Sequence, residues 1–195
     1  MRVAIILNAP ALTETVEEKA VILVDGAYRF LNELQNKEIL AVVGDFDSLG
    51  FVPQGVNALP TQKDFTDGEF AVKTAKTFGA DEIVIYGAFG GKIEHILGNL
   101  HLLKIAKDTG LNAEIRDGAT VTLESGKVNL FTKIGKSLSI IPFNGDCKVT
   151  NSKGLFYPLN DLTLTCGDTI GISNRTTETE VSFNVVQGMA LVIKY

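Results

Sequence analysis

Four short runs in the first half of the chain are apolar almost without interruption: "RVAIIL" from Arg2, "AVILVDG" from Ala20, "ILAVVGD" from Ile39 and "EIVIYGA" from Glu82. A strand with one wet face alternates apolar and polar residues, whereas a strand covered on both faces does not alternate. These runs therefore call for a parallel sheet with helices on each side. The segments between them, "AYRFLNELQN", "TDGEFAVKTAKTFGA" and "EHILGNLHLLKIAKDTG", have helical length and composition. In the last, Ile96, Leu100, Leu103 and Ile105 are the expected buried face, and Gly110 is the expected stop. Strands alternating with such helices imply βαβ crossovers.

Past "EIRDGATVTL" the texture changes. From Ser125 come short runs with turn residues between them and no helix: "KVNLFTK", "SLSIIPF", "KVTNSK", "LTLTCG", "EVSFNVVQG" and "MALVIKY". This pattern predicts an antiparallel β-sandwich. The expected fold class is α/β plus all-β, a Rossmann-like parallel-sheet domain over 1–123 followed by a β-sandwich over 124–195. The boundary is placed near Leu123–Gly126.

Composition narrows the function classes. Of 195 residues, 18 are Lys or Arg and 23 are Asp or Glu, a net charge of −5 without a basic run. A protein that grips nucleic acid backbones is not expected from such a balance. Asn8 ends the first apolar run too early for a signal peptide. No apolar stretch reaches the ~18 residues of a membrane helix. Cys147 and Cys166 stand alone without metal-ligand spacing, as in a reduced, cytoplasmic protein.

In an open parallel sheet, ligands gather beyond the carboxyl ends of the strands. Those ends are polar and glycine-rich here: "VDGAY", "GDFDS" and "YGAFGGKIEH". Asp45 and Asp47, at i and i+2 on extended backbone, project to one side and suit a hard divalent cation. A plain turn also accommodates that pair. "QKDFTDGE" opens a helix, with Thr66 as N-cap and Glu69 three residues on. The same helix N-terminus offers free N–H groups to an anion, with Asp67 and Lys63 beside it. The glycines of "GAFGGKIEH" let backbone amides approach phosphate closely, while His95 and His101 each suit a packing role. Carboxylates for Mg²⁺, with lysines and amides for phosphate, are the components of a Mg²⁺–nucleotide site for phosphoryl transfer.

The order "DGA", "GDFDS", "KDFTDGE", "GAFGGKIEHILGNLHLL", then "GLFYPL", "GISN" and "VVQGMALVIKY", resembles the thiamine pyrophosphokinase family over nearly the whole chain. The resemblance implies transfer of a pyrophosphoryl group from ATP to the hydroxyl of thiamine, giving thiamine pyrophosphate and AMP. It also implies Mg²⁺ and a homodimer with the thiamine site at the subunit interface. By this likeness Asp45, Asp47 and Asp67 are the metal carboxylates. Asp25, Gly26, Lys63, Asp64, Thr66, Gly90, Gly91, Lys92 and His95 form the nucleotide-binding set. Ser173 and Asn174 hold thiamine. Lys92 assists as a point charge, and Asp67 or Glu94 accepts the hydroxyl proton.

The sequence departs from the family pattern in two places. "DGAY" replaces "DGGA", so Ala27 and Tyr28 stand where glycine and alanine are usual. "GGKIEH" replaces "GGRxDH", so Lys92 loses the bidentate fork of arginine and Glu94 carries its carboxylate one methylene further out. Two competing readings are a pyrophosphokinase for another alcohol, such as a hydroxymethyl-pterin, and a non-catalytic nucleotide or thiamine-phosphate sensor.

Overall fold

The computed structural model describes all 195 residues. Contacts divide the chain into two compact units, Met1–Gly118 and Ala119–Tyr195.

The first unit is built on five parallel strands: β1 (Arg2–Ile6), β2 (Ala20–Val24), β3 (Glu38–Val43), β4 (Glu82–Tyr86) and β5 (Asn112–Arg116). Their order across the sheet is β5-β4-β1-β2-β3. The runs of β1, β2 and β4 are buried on both faces, whereas Ile39–Val42 of β3, at the sheet edge, are only partly covered. Ala4, Ile6, Val21, Leu23, Val84 and Tyr86 join one core cluster with Ala27, Phe30 and Leu34. The alternate residues Val3, Ile5, Ile22, Ile83 and Ile85 are equally inaccessible. Two α-helices follow, α1 (Asp67–Thr77) and α2 (Ile93–Asp108), which pack on each other. The segment after β2, Asp25–Leu34, is a 3-10 helix.

Thr66 caps α1 as expected, its side-chain oxygen accepting from the Glu69 N–H at 3.1 Å. The buried face of α2 differs from the sequence expectation. Leu102, Leu103 and Ala106 are covered, whereas Ile96, Leu100 and Ile105 are only partly so. Leu102 is drawn inward because it packs over Gly68 of α1, where an added Cβ would lie 3.1 Å from its methyl group. Ile93 and Leu97 are left 75% and 57% exposed.

The second unit is antiparallel throughout, with β6 (Thr120–Phe131), β7 (Ser137–Pro142), β8 (Cys147–Lys153), β9 (Leu162–Leu164), β10 (Asn174–Arg175) and β11 (Glu180–Lys194). Strand β11 is the spine: it pairs with β6 along its length, with β8 through its first half and with β7 through its second. "EVSFNVVQG" and "MALVIKY" are thus one strand rather than two. Its inward residues are Val181, Phe183 and Val185, then Ala190 and Val192. The change from odd to even numbers requires a bulge, and the pairing with β6 slips between Val185 and Ala190. The boundary falls earlier than the sequence suggested, at Gly118. Leu123–Gly126 lie inside β6, and Gly126 pairs with Val185 at the edge of that slip instead of marking a linker.

Candidate active site

The carboxyl ends of β1, β2 and β3 deliver Asn8, Asp25 and the stretch from Gly44 to Asp47 to one place. Gly44 lets them meet. Its backbone sits at φ +154°, and a Cβ there would lie 2.9 Å from the Asp25 Cα. Phe46 then adopts φ 61°, a left-handed conformation that costs a bulky residue strain, and buries its ring to 2% exposure. With Phe46 tucked inward, Asp45 and Asp47 are set beside Asp25. One carboxylate oxygen from each lies within 4.8 Å of the others.

Asp25 is held by one oxygen only. Its Oδ2 accepts from the Ser48 hydroxyl at 2.6 Å and from the Asn8 amide at 3.4 Å. Its Oδ1 is buried without a hydrogen-bond partner. Lys63 anchors the other side of the site. Its ammonium donates to Asp45 Oδ2 and to the Pro60 carbonyl, both at 3.0 Å, and stands 3.2 Å from Asp67 Oδ1. That last contact is an ion pair without hydrogen-bond alignment, so Asp67 Oδ1 is a second buried oxygen lacking a hydrogen bond. Leaving a buried oxygen unsatisfied costs about 1–3 kcal/mol. An unpartnered Asp25 Oδ1 within the Asp25, Asp45 and Asp47 cluster fits a hard divalent cation.

The charges are tuned accordingly. The Lys63 hydrogen bond holds the Asp45 carboxyl below its ordinary range, against burial. Burial pushes Asp67 up, and Lys63 only partly offsets it. For Lys63 itself burial opposes the charge, yet the hydrogen bond to Asp45 and the ion pair with Asp67 keep the ammonium above its usual value.

A carboxyl raised in the folded state stabilises the fold below its unfolded value, and that stability is lost as pH rises through the raised one. At neutral pH the ionised Asp67 therefore works against the fold. Asp67→Asn is expected to raise the melting temperature by about 1–3 °C at pH 7, with the gap closing in acid. Scanning calorimetry at pH 7 and pH 4 checks this, and a lower melting temperature at pH 7 contradicts it.

Next to the carboxylates opens a pocket of ≈ 480 Å³. Asp25, Lys63, Thr66, Asp67, Gly91, Glu94 and His95 all line it, as do Asn8 and Asn99. Asp45 and Asp47 are not part of its wall and reach the site through Asp25 and Lys63. Gly26 is packed under Asn8 and Ser48, with no room for a Cβ. Asp64, Gly90 and Lys92 lie outside the wall, all three exposed. Phe65, which the sequence reading passed over, lines the pocket and stacks on Phe70 with ring centroids 5.8 Å apart. Asn8 was also missed, although its place after the first apolar run marks it by the same strand-end rule.

In the second unit, Ser173 is exposed at φ 58°, and its N–H donates to the Ser139 hydroxyl at 2.9 Å. Asn174 is buried, with its amide engaged by the backbone. Its Oδ1 accepts from the Tyr157 and Arg175 N–H groups at 3.0 and 2.8 Å, and its Nδ2 donates to the Tyr157 carbonyl at 2.7 Å. Asn174 thereby fixes the backbone carrying Phe156 and Tyr157. These rings meet edge to face at 4.9 Å, and the Arg175 guanidinium lies 4.6 Å from the Phe156 ring centroid. Phe156, Tyr157, Ile170 and Ile172 are all exposed.

Comparison with known proteins identifies the family. Residues 13–115 match the family described as thiamin pyrophosphokinase, catalytic domain, and residues 119–190 that described as thiamin pyrophosphokinase, vitamin B1 binding domain. A thiamine pyrophosphokinase of Bacillus subtilis is 28% identical over 162 residues, 77% of this chain and 76% of its own length. Thiamin pyrophosphokinase 1 of Caenorhabditis elegans is 29% identical over 155 residues, 72% of this chain and 63% of its own. The crystal structure of thiamine pyrophosphokinase from Bacillus subtilis superposes with a TM-score of 0.85 at 26% identity, covering 100% of this chain and 98% of that one. The enzyme from Candida albicans, at 15% identity, shares the fold with a TM-score of 0.77, over 99% of this chain and 88% of its own. The chain belongs to the thiamine pyrophosphokinase family.

Proposed function

We propose that this chain transfers the β,γ-pyrophosphoryl group of ATP to the hydroxyl of thiamine, releasing AMP. The observation that carries the reading is the Asp25, Asp45 and Asp47 carboxylate cluster with its unpartnered buried Asp25 Oδ1, at the strand ends of a chain matched by both domains of the family. Asp25, Asp45 and Asp47 would hold Mg²⁺, with Asp67 adjoining through Lys63. When bound, the ion neutralises charge on the transferring phosphates.

The chain's own groups supply the rest. The thiamine oxygen forms a bond to the β-phosphorus as the bond to the α-phosphate's bridging oxygen breaks, and AMP carries that electron pair away. The hydroxyl proton passes to a carboxylate. Asp67 suits this role because burial already raises its affinity for a proton, and Glu94 lines the same pocket. Lys63 and Lys92 act as positive charges toward phosphate, and the N-terminus of α1 adds its dipole.

The parallel strand order supports reading the first unit as Rossmann-like, and the β6–β11 pairing supports a β-sandwich for the second. Ser173, exposed beside Ile172, is the candidate contact for thiamine, while Asn174 shapes the backbone around it. A homodimer with the thiamine site at the subunit interface accords with the apolar side chains exposed at Ile93, Leu97, Ile170 and Ile172. No helix is long and apolar enough to cross a membrane. We place the reaction in the cytoplasm, where ATP is supplied and free thiols such as Cys147 and Cys166 stay reduced.

Incubation with ATP, Mg²⁺ and thiamine is expected to give AMP and thiamine pyrophosphate in equal amounts, resolved by chromatography. AMP formed with a hydroxymethyl-pterin and not with thiamine would move the acceptor. Calorimetric binding of both ligands without AMP would leave a sensor.

A further inference from the structure

The loop from Gly87 to Lys92, between β4 and α2, lines the pocket through Gly87, Ala88 and Gly91. Three glycines make it costly to order, since glycine loses the most backbone freedom on folding. Two side chains hold it from outside. The Asn99 amide donates to the Ala88 carbonyl at 2.8 Å. The Phe89 N–H donates to Asp117 Oδ2 at 2.7 Å. The other oxygen of Asp117 accepts from the Thr13 hydroxyl at 2.6 Å, and the next residue, Gly118, donates its N–H to Glu14 at 3.1 Å. Asp117, half-buried just past the end of β5, thus joins the loop to the segment around Thr13. By contrast, the N–H groups of Gly90 and Gly91 donate to nothing in the chain.

We propose that Asp117 is a positioning residue for ATP: by engaging the Phe89 N–H it fixes the loop so that the Gly90 and Gly91 amides stand ready for a phosphate oxygen. The proposal rests on the reading of this loop as the nucleotide's. Asp117 is the only acceptor of the Phe89 N–H, and no other side-chain hydrogen bond reaches the loop except that of Asn99. Its charge is an unfavourable neighbour for a polyphosphate, so tethering and repulsion predict opposite signs when it is removed.

The test measures binding of a non-hydrolysable ATP analogue with Mg²⁺ by calorimetry, and initial rates with each substrate varied in turn. Asp117→Ala is expected to weaken the analogue and raise KM for ATP about tenfold, the scale of a lost hydrogen bond to a charged group, with KM for thiamine unchanged. Asp117→Asn, which keeps one acceptor oxygen, and Thr13→Val, which frees the carboxylate from its second partner, are expected to give smaller losses of the same kind. They carry the test if the alanine variant does not fold. Tighter or unchanged analogue binding in these variants overturns the proposal, as does an equal rise in KM for both substrates. A wild-type chain that binds no ATP analogue overturns the nucleotide reading and this proposal together. Wild-type binding matched by the variants overturns this proposal alone.

Discussion

Asp47→Asn is expected to lower AMP release by about 10³-fold or more, a loss on the order of 4 kcal/mol of transition-state stabilisation. The melting temperature is expected to stay where it was. Both halves follow from position. The Asp47 carboxylate is exposed and no hydrogen bond of the fold depends on it; only its backbone N–H is engaged, by Asp45 Oδ1 at 3.3 Å. The same carboxylate lies within 4.8 Å of oxygens on Asp25 and Asp45, so an amide there removes charge from the cluster and little else. The variant should also need more Mg²⁺ for whatever turnover it keeps. Near-normal AMP release at ordinary Mg²⁺ would remove Asp47 from the set and leave Asp25, Asp45 and Asp67 to be tested in its place.

How far the site was legible depended on sequence distance. Asp45 and Asp47 are two residues apart at the end of an apolar run, and local geometry sufficed to pair them. The Thr66 cap was legible for the same reason. Asp25 joins them because β2 lies beside β3 and because Gly44 permits close approach, facts of tertiary packing. The contacts of Asp117 with Phe89 and Thr13 span 28 and 104 residues, and no spacing rule reaches across them. In the fold, unbroken apolar texture marked the parallel strands. The continuity of β11 was hidden because its bulge shifts the inward residues from odd to even positions, so one strand reads as two. The buried face of α2 was misplaced because its partner is the side of α1 bearing Gly68, which a helical period alone does not reveal.

Gly171→Ala is the second large effect. An added methyl would lie 1.9 Å from the Ile140 carbonyl oxygen, which belongs to the backbone and has no rotamer to escape into. The neighbouring Ile140 N–H donates to the Gly171 carbonyl at 2.9 Å, and Ser173 is docked two residues on through the Ser139 hydroxyl. Relief of the clash must lift this segment from β7 and break those contacts. The expected cost is about 3 kcal/mol or more, a fall of roughly 10 °C in melting temperature. KM for thiamine should rise with it, since Ser173 moves with the segment. Thermal unfolding with initial rates checks both. A variant that melts with the parent would show that the segment can leave β7 at no cost.

Lys63 has a consequence for how the carboxylates tolerate one another. An ammonium lodged between Asp45 and Asp67 supplies the carboxylates with a counter-charge from the chain itself, so the fold is expected to hold whether or not a cation is bound. On the proposed Mg²⁺ reading, a chelator is expected to abolish AMP release reversibly while the melting temperature stays within about 2 °C.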